Sequence, residues 1–125
     1  MSLNISVKHK RDKVILHIHE KTLNQEKAPV LKEIIYKEMA EGFVNMIVDL
    51  SEVRDVDSSG LGAFLFGKRL ANNNGGDLVL ASPGKFVRNL IRIAQLTTIL
   101  KQFPTVEAAL AFFNSSEPNP RTDVQ

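Results

Sequence analysis

The 125-residue chain has no cysteine and no tryptophan, one tyrosine, and almost no excess of charge of either sign. The lack of cysteine excludes disulfides, a thiol nucleophile and any thiolate metal site. No stretch approaches the roughly 18 to 20 apolar residues that a membrane helix needs. The opening MSLNISVKHK has no apolar core of the kind a secretory signal carries. These absences predict a cytoplasmic protein. Sixteen basic residues against fourteen acidic ones leave a net charge of only +2. Nucleic-acid binders gather basic residues on one face. Here the dense cluster is Lys8, His9, Lys10, Arg11 and Lys13, broken by Asp12, and it reads as a solvated hairpin turn. No aromatic residue is interleaved there for base stacking, so direct nucleic-acid binding is not expected.

What is present suits one globular domain. Hydrophobic residues make up 43% of the chain and charged ones 24%. A chain of this length buries roughly two thirds of the surface its unfolded form exposes. Leu3, Ile5 and Val7 alternate with polar neighbours, the period of a strand with one wet face. After the KHKRDK turn, Val14 to His19 forms a second strand. A helix begins near Ala28 with Pro29 in its first turn, where a missing N–H costs little. Leu31, Ile34, Ile35 and Met39 form its buried stripe, and Gly42 ends it. Phe43 to Leu50 is a nearly continuous apolar strand, as in the centre of a parallel sheet.

A second helix is expected from Ser58 to about Asn73, closed by Asn74-Gly75-Gly76, and a strand over 77–81. Ser82 is placed to N-cap a third helix, with Pro83 at its first position and Phe86, Val87, Leu90, Ile91 and Ala94 as its core stripe. A short strand at Thr97 to Leu100 and a helix from about Thr105 to Phe113 complete the pattern. The order ββαβαβαβα implies a single α/β domain over residues 1–113, with a mostly parallel sheet and an antiparallel edge. The proline-bearing segment 114–125 reads as a flexible C-terminal tail.

Function in open α/β sheets gathers where strand ends meet helix starts. The most polar such crossover runs from Leu50 to Leu61. Asp57 is placed to N-cap the second helix, with Ser58 and Ser59 in its first turn. Free N–H groups and the positive helix end favour an anion at that point. A phosphoserine adds about −1.5 to −2 charge, so modification of Ser58 would change the surface without threatening the fold. Asp55 and Asp57 would meet the new phosphate with like charge. The plain alternative is that Asp-Ser-Ser-Gly is a helix cap and nothing more.

Val48-Asp49-Leu50-Ser51 followed by Val56-Asp57-Ser58-Ser59-Gly60-Leu61-Gly62 resembles the signature of STAS domains, specifically bacterial anti-sigma factor antagonists. The element order is also theirs, and the resemblance covers roughly residues 3 to 113. It implies a partner switch without enzymatic activity or cofactor. The unmodified antagonist binds an anti-sigma factor, often an ATP-dependent serine kinase, and so releases a sigma factor. The kinase phosphorylates the serine after the aspartate, here Ser58, and a phosphatase of the PP2C type restores the active form. Asp57 would position or polarise the acceptor hydroxyl, with Ser59 as a neighbouring contact. Asn24, Asp55, Asp57, Ser58, Ser59, Gly60 and Leu61 are the expected partner-binding residues. The family pattern has a glycine and an aspartate, roughly G-x-L-D, in the loop beside this site. The corresponding run here is Lys21-Thr22-Leu23-Asn24, which lacks the glycine and replaces the aspartate by Asn24. Asparagine keeps the hydrogen-bonding capacity and loses the charge.

Other readings fit less well. A receiver domain needs an acidic cluster after its first strand to hold Mg²⁺, and only Glu20 is available. Gly62 to Lys68 matches GxxxxGK, but Arg69 stands where serine or threonine should bind Mg²⁺, and the string falls inside a helix. His17 and His19 share one strand face, yet the sequence identifies no third ligand, so no metal is expected. A serine hydrolase lacks its G-x-S-x-G elbow. The remaining alternative is an unphosphorylated STAS scaffold in a larger signalling assembly.

Overall fold

The computed structural model describes residues 2–116. The chain runs β1 (Ile5–Lys10), β2 (Lys13–Ile18), β3 (Thr22–Leu23), α1 (Ala28–Ala40), β4 (Asn45–Asp49), β5 (Asp55–Val56) and α2 (Ser58–Asn73). It continues through β6 (Asp77–Ala81), α3 (Lys85–Ile93), β7 (Gln102–Phe103) and α4 (Val106–Ser116). Five strands form one sheet in the order β1-β2-β4-β6-β7, and β3 pairs with β5 in a separate two-stranded sheet. Among the described residues only the β1–β2 hairpin is antiparallel, and every other pairing is parallel. The expected α/β class with an antiparallel edge is what the chain adopts.

Strand side chains alternate between faces with period two, and the two faces bury different cores. Val14, Leu16 and Ile18 of β2, Met46 and Val48 of β4, and Leu78 and Leu80 of β6 join Leu31 and Ile35 of α1 and Phe64 of α2. The intervening Ile15, Ile47, Val79 and Ala81 pack under Ala109 and Phe113 of α4. His17 and Asp49 share the parity of Ile15 and Ile47, so they lie on the α4 face of the sheet, and their backbones are paired in register.

Several local expectations give way to tertiary contacts. Ser82 does not cap α3. Its backbone is left-handed (φ 54°), its hydroxyl donates to the Pro104 carbonyl at 3.1 Å and its N–H donates to the Phe103 carbonyl. The sheet edge therefore holds this residue, and α3 starts at Lys85 after Gly84, without a side-chain cap. Residues 97–100 form a turn with buried Leu100, and the edge strand is instead β7, two residues long. Phe86 and Ala94 face solvent rather than the core, as does Ile93; only Val87 and Ile91 of α3 are fully buried. Phe43 and Val44 precede β4 rather than belonging to it, and Gly42 takes the φ of 99° that turns the chain out of α1. The last helix runs three residues past Phe113 to Ser116, while residues 117–125 of the expected tail lie outside the described residues. Among the described residues no helix is long and apolar enough to cross a membrane.

Candidate phosphoacceptor and partner-binding site

The short β3–β5 sheet builds the site. Thr22 pairs with Asp55 and Leu23 with Val56. The N–H groups of Arg54 and Asp55 donate to the Lys21 carbonyl at 2.7 and 3.1 Å, and Asp57 N–H donates to the Leu23 carbonyl at 3.2 Å. These bonds lay the loop ending at Asn24 directly alongside the loop ending at Asp57. Two-residue strands carry no periodic signal, and the sequence reading did not find them.

Asp57 is extended (φ −95°, ψ −175°), and its Oδ1 accepts from Ser59 N–H at 2.9 Å and Gly60 N–H at 3.1 Å. The expected cap is therefore in place. The helix behind it is pressed tightly onto β3. A Cβ on Gly60 would overlap the Val56 side chain and stand 2.8 Å from the Leu23 carbonyl oxygen. At Gly62 a Cβ would meet nothing within 4 Å. The two glycines thus differ: Gly60 allows α2 to approach its own loop, and Gly62 leaves space open on the outside.

Ser58 is the first residue of α2 and is exposed; Ser59 is half-buried, and Gly60 and Leu61 are buried. Among the described residues no hydrogen bond engages the Ser58 hydroxyl. Asp57 spends one carboxylate oxygen on two helix N–H groups, so its observed role at Ser58 is to fix the backbone. Asp55 and Asp57 are both exposed beside the acceptor position.

Asn24 is half-buried, and its Oδ1 accepts from the N–H groups of Glu26 and Lys27 at 3.1 and 3.3 Å. Its carbonyl accepts from Ala28 N–H at 2.8 Å. Asn24 therefore closes the turn that starts α1, a task aspartate performs with the same oxygen. Next to it, Glu20 accepts from Asn4 N–H at 2.9 Å and pairs with Lys27 Nζ at 3.0 Å. The Asn4 N–H first, and then the Lys27 ammonium, hold the Glu20 carboxyl below its ordinary pKa.

The phosphate-loop-like string has a packing explanation. Gly67 is buried where a Cβ would overlap Leu78, and Lys68 donates to Asp77. The histidine pair, by contrast, has the third group that the sequence reading did not find. Glu52, from the loop after β4, reaches both His17 and His19.

The STAS domain family model matches residues 4–109. The chain belongs to the STAS domain family. Its curated relatives include a Thermotoga maritima protein named as an anti-sigma factor antagonist, 28% identical over 100 residues and covering 79% of this chain and 88% of that protein. A Thermotoga neapolitana homologue of the same name is 30% identical over 98 residues, covering 78% of this chain and 87% of the other. The fold is also that of the anti-sigma factor antagonist SpoIIAA in its unphosphorylated form, with a TM-score of 0.77 at 19% identity over 92% of this chain and all of the other. The phosphorylated form of SpoIIAA, a Bacillus cell fate determinant, superposes with a TM-score of 0.69 at 18% identity, over 88% of this chain and 99% of that one.

Proposed function

We propose that this protein is a cytoplasmic anti-sigma factor antagonist that works by binding rather than catalysis, and that phosphorylation of Ser58 releases its partner. The partner is an anti-sigma factor with serine kinase activity, and a PP2C-type phosphatase reverses the modification. The observation that carries the reading is the position of Ser58: exposed, without a side-chain partner, and first in a helix capped by Asp57. The curated relatives named as anti-sigma factor antagonists support the class of partner. The existence of SpoIIAA in both forms supports a reversible mark on this fold.

The physical basis of the switch is charge. Unmodified Ser58 offers a partner a small neutral group that costs little to bury. A phosphate there brings about −1.5 to −2 charge beside Asp55 and Asp57, and a docked partner would have to desolvate it. Loss of one good interface contact, a few kcal/mol, weakens binding by about tenfold to hundredfold. Asn24, Asp55, Asp57, Ser59, Gly60 and Leu61 frame the docking surface, with Gly62 open beside them. Affinity capture from the native cells with Ser58→Ala and Ser58→Asp variants tests this. The switch predicts that Ser58→Ala retains the anti-sigma factor and Ser58→Asp loses it. Retention by both variants would instead make the chain an unmodified scaffold.

A further inference from the structure

Away from Ser58, three side chains that are distant in sequence converge on the α4 face of the sheet. Glu52 Oε2 lies 2.8 Å from His17 Nε2 and 2.7 Å from His19 Nδ1. One potential ligand atom from each residue falls within 4.8 Å of the other two. The imidazole rings lie 4.1 Å apart between centroids. We propose that His17, His19 and Glu52 form a binding site for one divalent transition-metal ion of the zinc class.

The argument rests on which ring nitrogens are used. His17 turns Nε2 towards Glu52 and Nδ1 towards the Asp49 carboxylate, 3.7 Å away. His19 turns Nδ1 towards Glu52 and Nε2 towards the Ser6 hydroxyl at 2.7 Å. Each imidazole thus aims one nitrogen into the cluster while the other faces an oxygen. Metal-ligating histidines use this arrangement, the outer oxygen taking the ring N–H as the ion displaces the inner proton. The Ser6 hydroxyl is already in hydrogen-bond range of His19, whereas Asp49, at 3.7 Å, would have to draw closer to His17. His17 Nε2 also has the Ser51 hydroxyl at 3.4 Å. Asp49 and Ser6 are supplied by the strands on either side of β2: Asp49 is the register partner of His17 in β4, and Ser6 is its register partner in β1.

Donor chemistry and space also fit. Two imidazoles and a carboxylate suit zinc with a water in the fourth position, and the chain has no cysteine to offer a softer site. Zn–N and Zn–O bonds of about 2.0–2.2 Å in a tetrahedron place neighbouring ligand atoms about 3.3 Å apart. The two Glu52–histidine spacings would open by roughly half an ångström, which the Glu52 side chain, half exposed at 50%, can supply by a small rotation. The histidine side chains are 31% and 30% exposed, so water and an ion reach them while the sheet holds the rings. The cleft that holds the cluster, about 370 Å³, is lined by His19 and Glu52 together with Glu20, Lys21, Ser51 and Arg54. A bound ion would tie β2 to the loop that leads through Arg54 into β5, the segment that carries the Asp57 cap.

The test is equilibrium dialysis of the tag-free full chain against zinc chloride, followed by metal analysis. One zinc per chain is expected for the wild type. Glu52→Gln should weaken binding by roughly tenfold or more, and His17→Ala or His19→Ala should abolish it. His9→Ala should leave it unchanged, because His9 stacks on Phe43 and pairs with Glu38 elsewhere. Ring ¹⁵N spectra should show zinc-dependent shifts at His17 Nε2 and His19 Nδ1. Thermal melting without zinc confirms that each variant is folded. Equal zinc binding by wild type and Glu52→Gln, or zinc lost in His9→Ala instead, would overturn the proposal and leave the cluster as a hydrogen-bonded triad.

Discussion

The carbonyl oxygen of Leu23 lies 2.8 Å from the point where a Cβ on Gly60 would stand. That contact joins the two halves of the candidate site, since Leu23 ends β3 and Gly60 lies in the first turn of α2. Gly60→Ala should therefore force the helix off β3 and destabilise the fold by about 1–3 kcal/mol, as overpacking does. Gly62→Ala, into open space, should raise stability by about 0.5–1 kcal/mol through helix propensity. Chemical denaturation of both variants checks the contrast. If the partner docks over this turn, Gly62→Ala also weakens binding while stabilising the protein.

Asp57 combines a structural and a chemical position, and substitutions separate them. Asp57→Ala removes the acceptor for two helix N–H groups and should cost about 1 kcal/mol. Asp57→Asn keeps a cap oxygen and should cost little in stability. A loss of Ser58 phosphorylation in Asp57→Asn would then report the charge alone, read by a kinase assay beside a denaturation curve.

Asn24→Asp restores the carboxylate typical of the family loop. The same oxygen remains to close the turn before α1, and a negative charge at a helix start is worth about 0.3–1 kcal/mol. Stability should hold or rise slightly, while affinity for the native anti-sigma factor shifts. Unchanged affinity would remove Asn24 from the docking surface.

Acid should weaken the fold partly through Glu20. Its folded pKa is held down by Asn4 N–H and Lys27, so the unfolded chain binds its proton first. That stabilisation is complete above the ordinary carboxylate pKa and is lost as the pH falls through the lower folded value. Asp12, held down chiefly by its hydrogen bond from Lys13, acts in the same direction. Glu20→Gln should flatten the acid side of a melting-temperature profile, leaving the neutral side level.

Legibility in the sequence followed the range of the forces involved. The α2 start could be read because the Asp57 cap is closed by Ser59 and Gly60, within three residues. The same cap logic failed at Ser82-Pro83, where the controlling partner is Pro104, 22 residues away. The apolar spacing of α3 predicted burial for Phe86, yet α3 buries only Val87 and Ile91 fully and leaves Phe86 and Ile93 outside. The β3–β5 pairing and the meeting of Glu52 with His17 and His19 are tertiary, and no local pattern encodes either.

The central claim is that Ser58 carries the switch, and phosphopeptide mass spectrometry on protein from its native cells tests it most directly. Cleavage after Arg54 and Lys68 yields a peptide over 55–68 whose only hydroxyl side chains are Ser58 and Ser59. Fragmentation should place phosphate on Ser58, rising under some growth conditions and falling under others. An unmodified peptide under every stress applied, or phosphate confined to Ser59, would contradict the account.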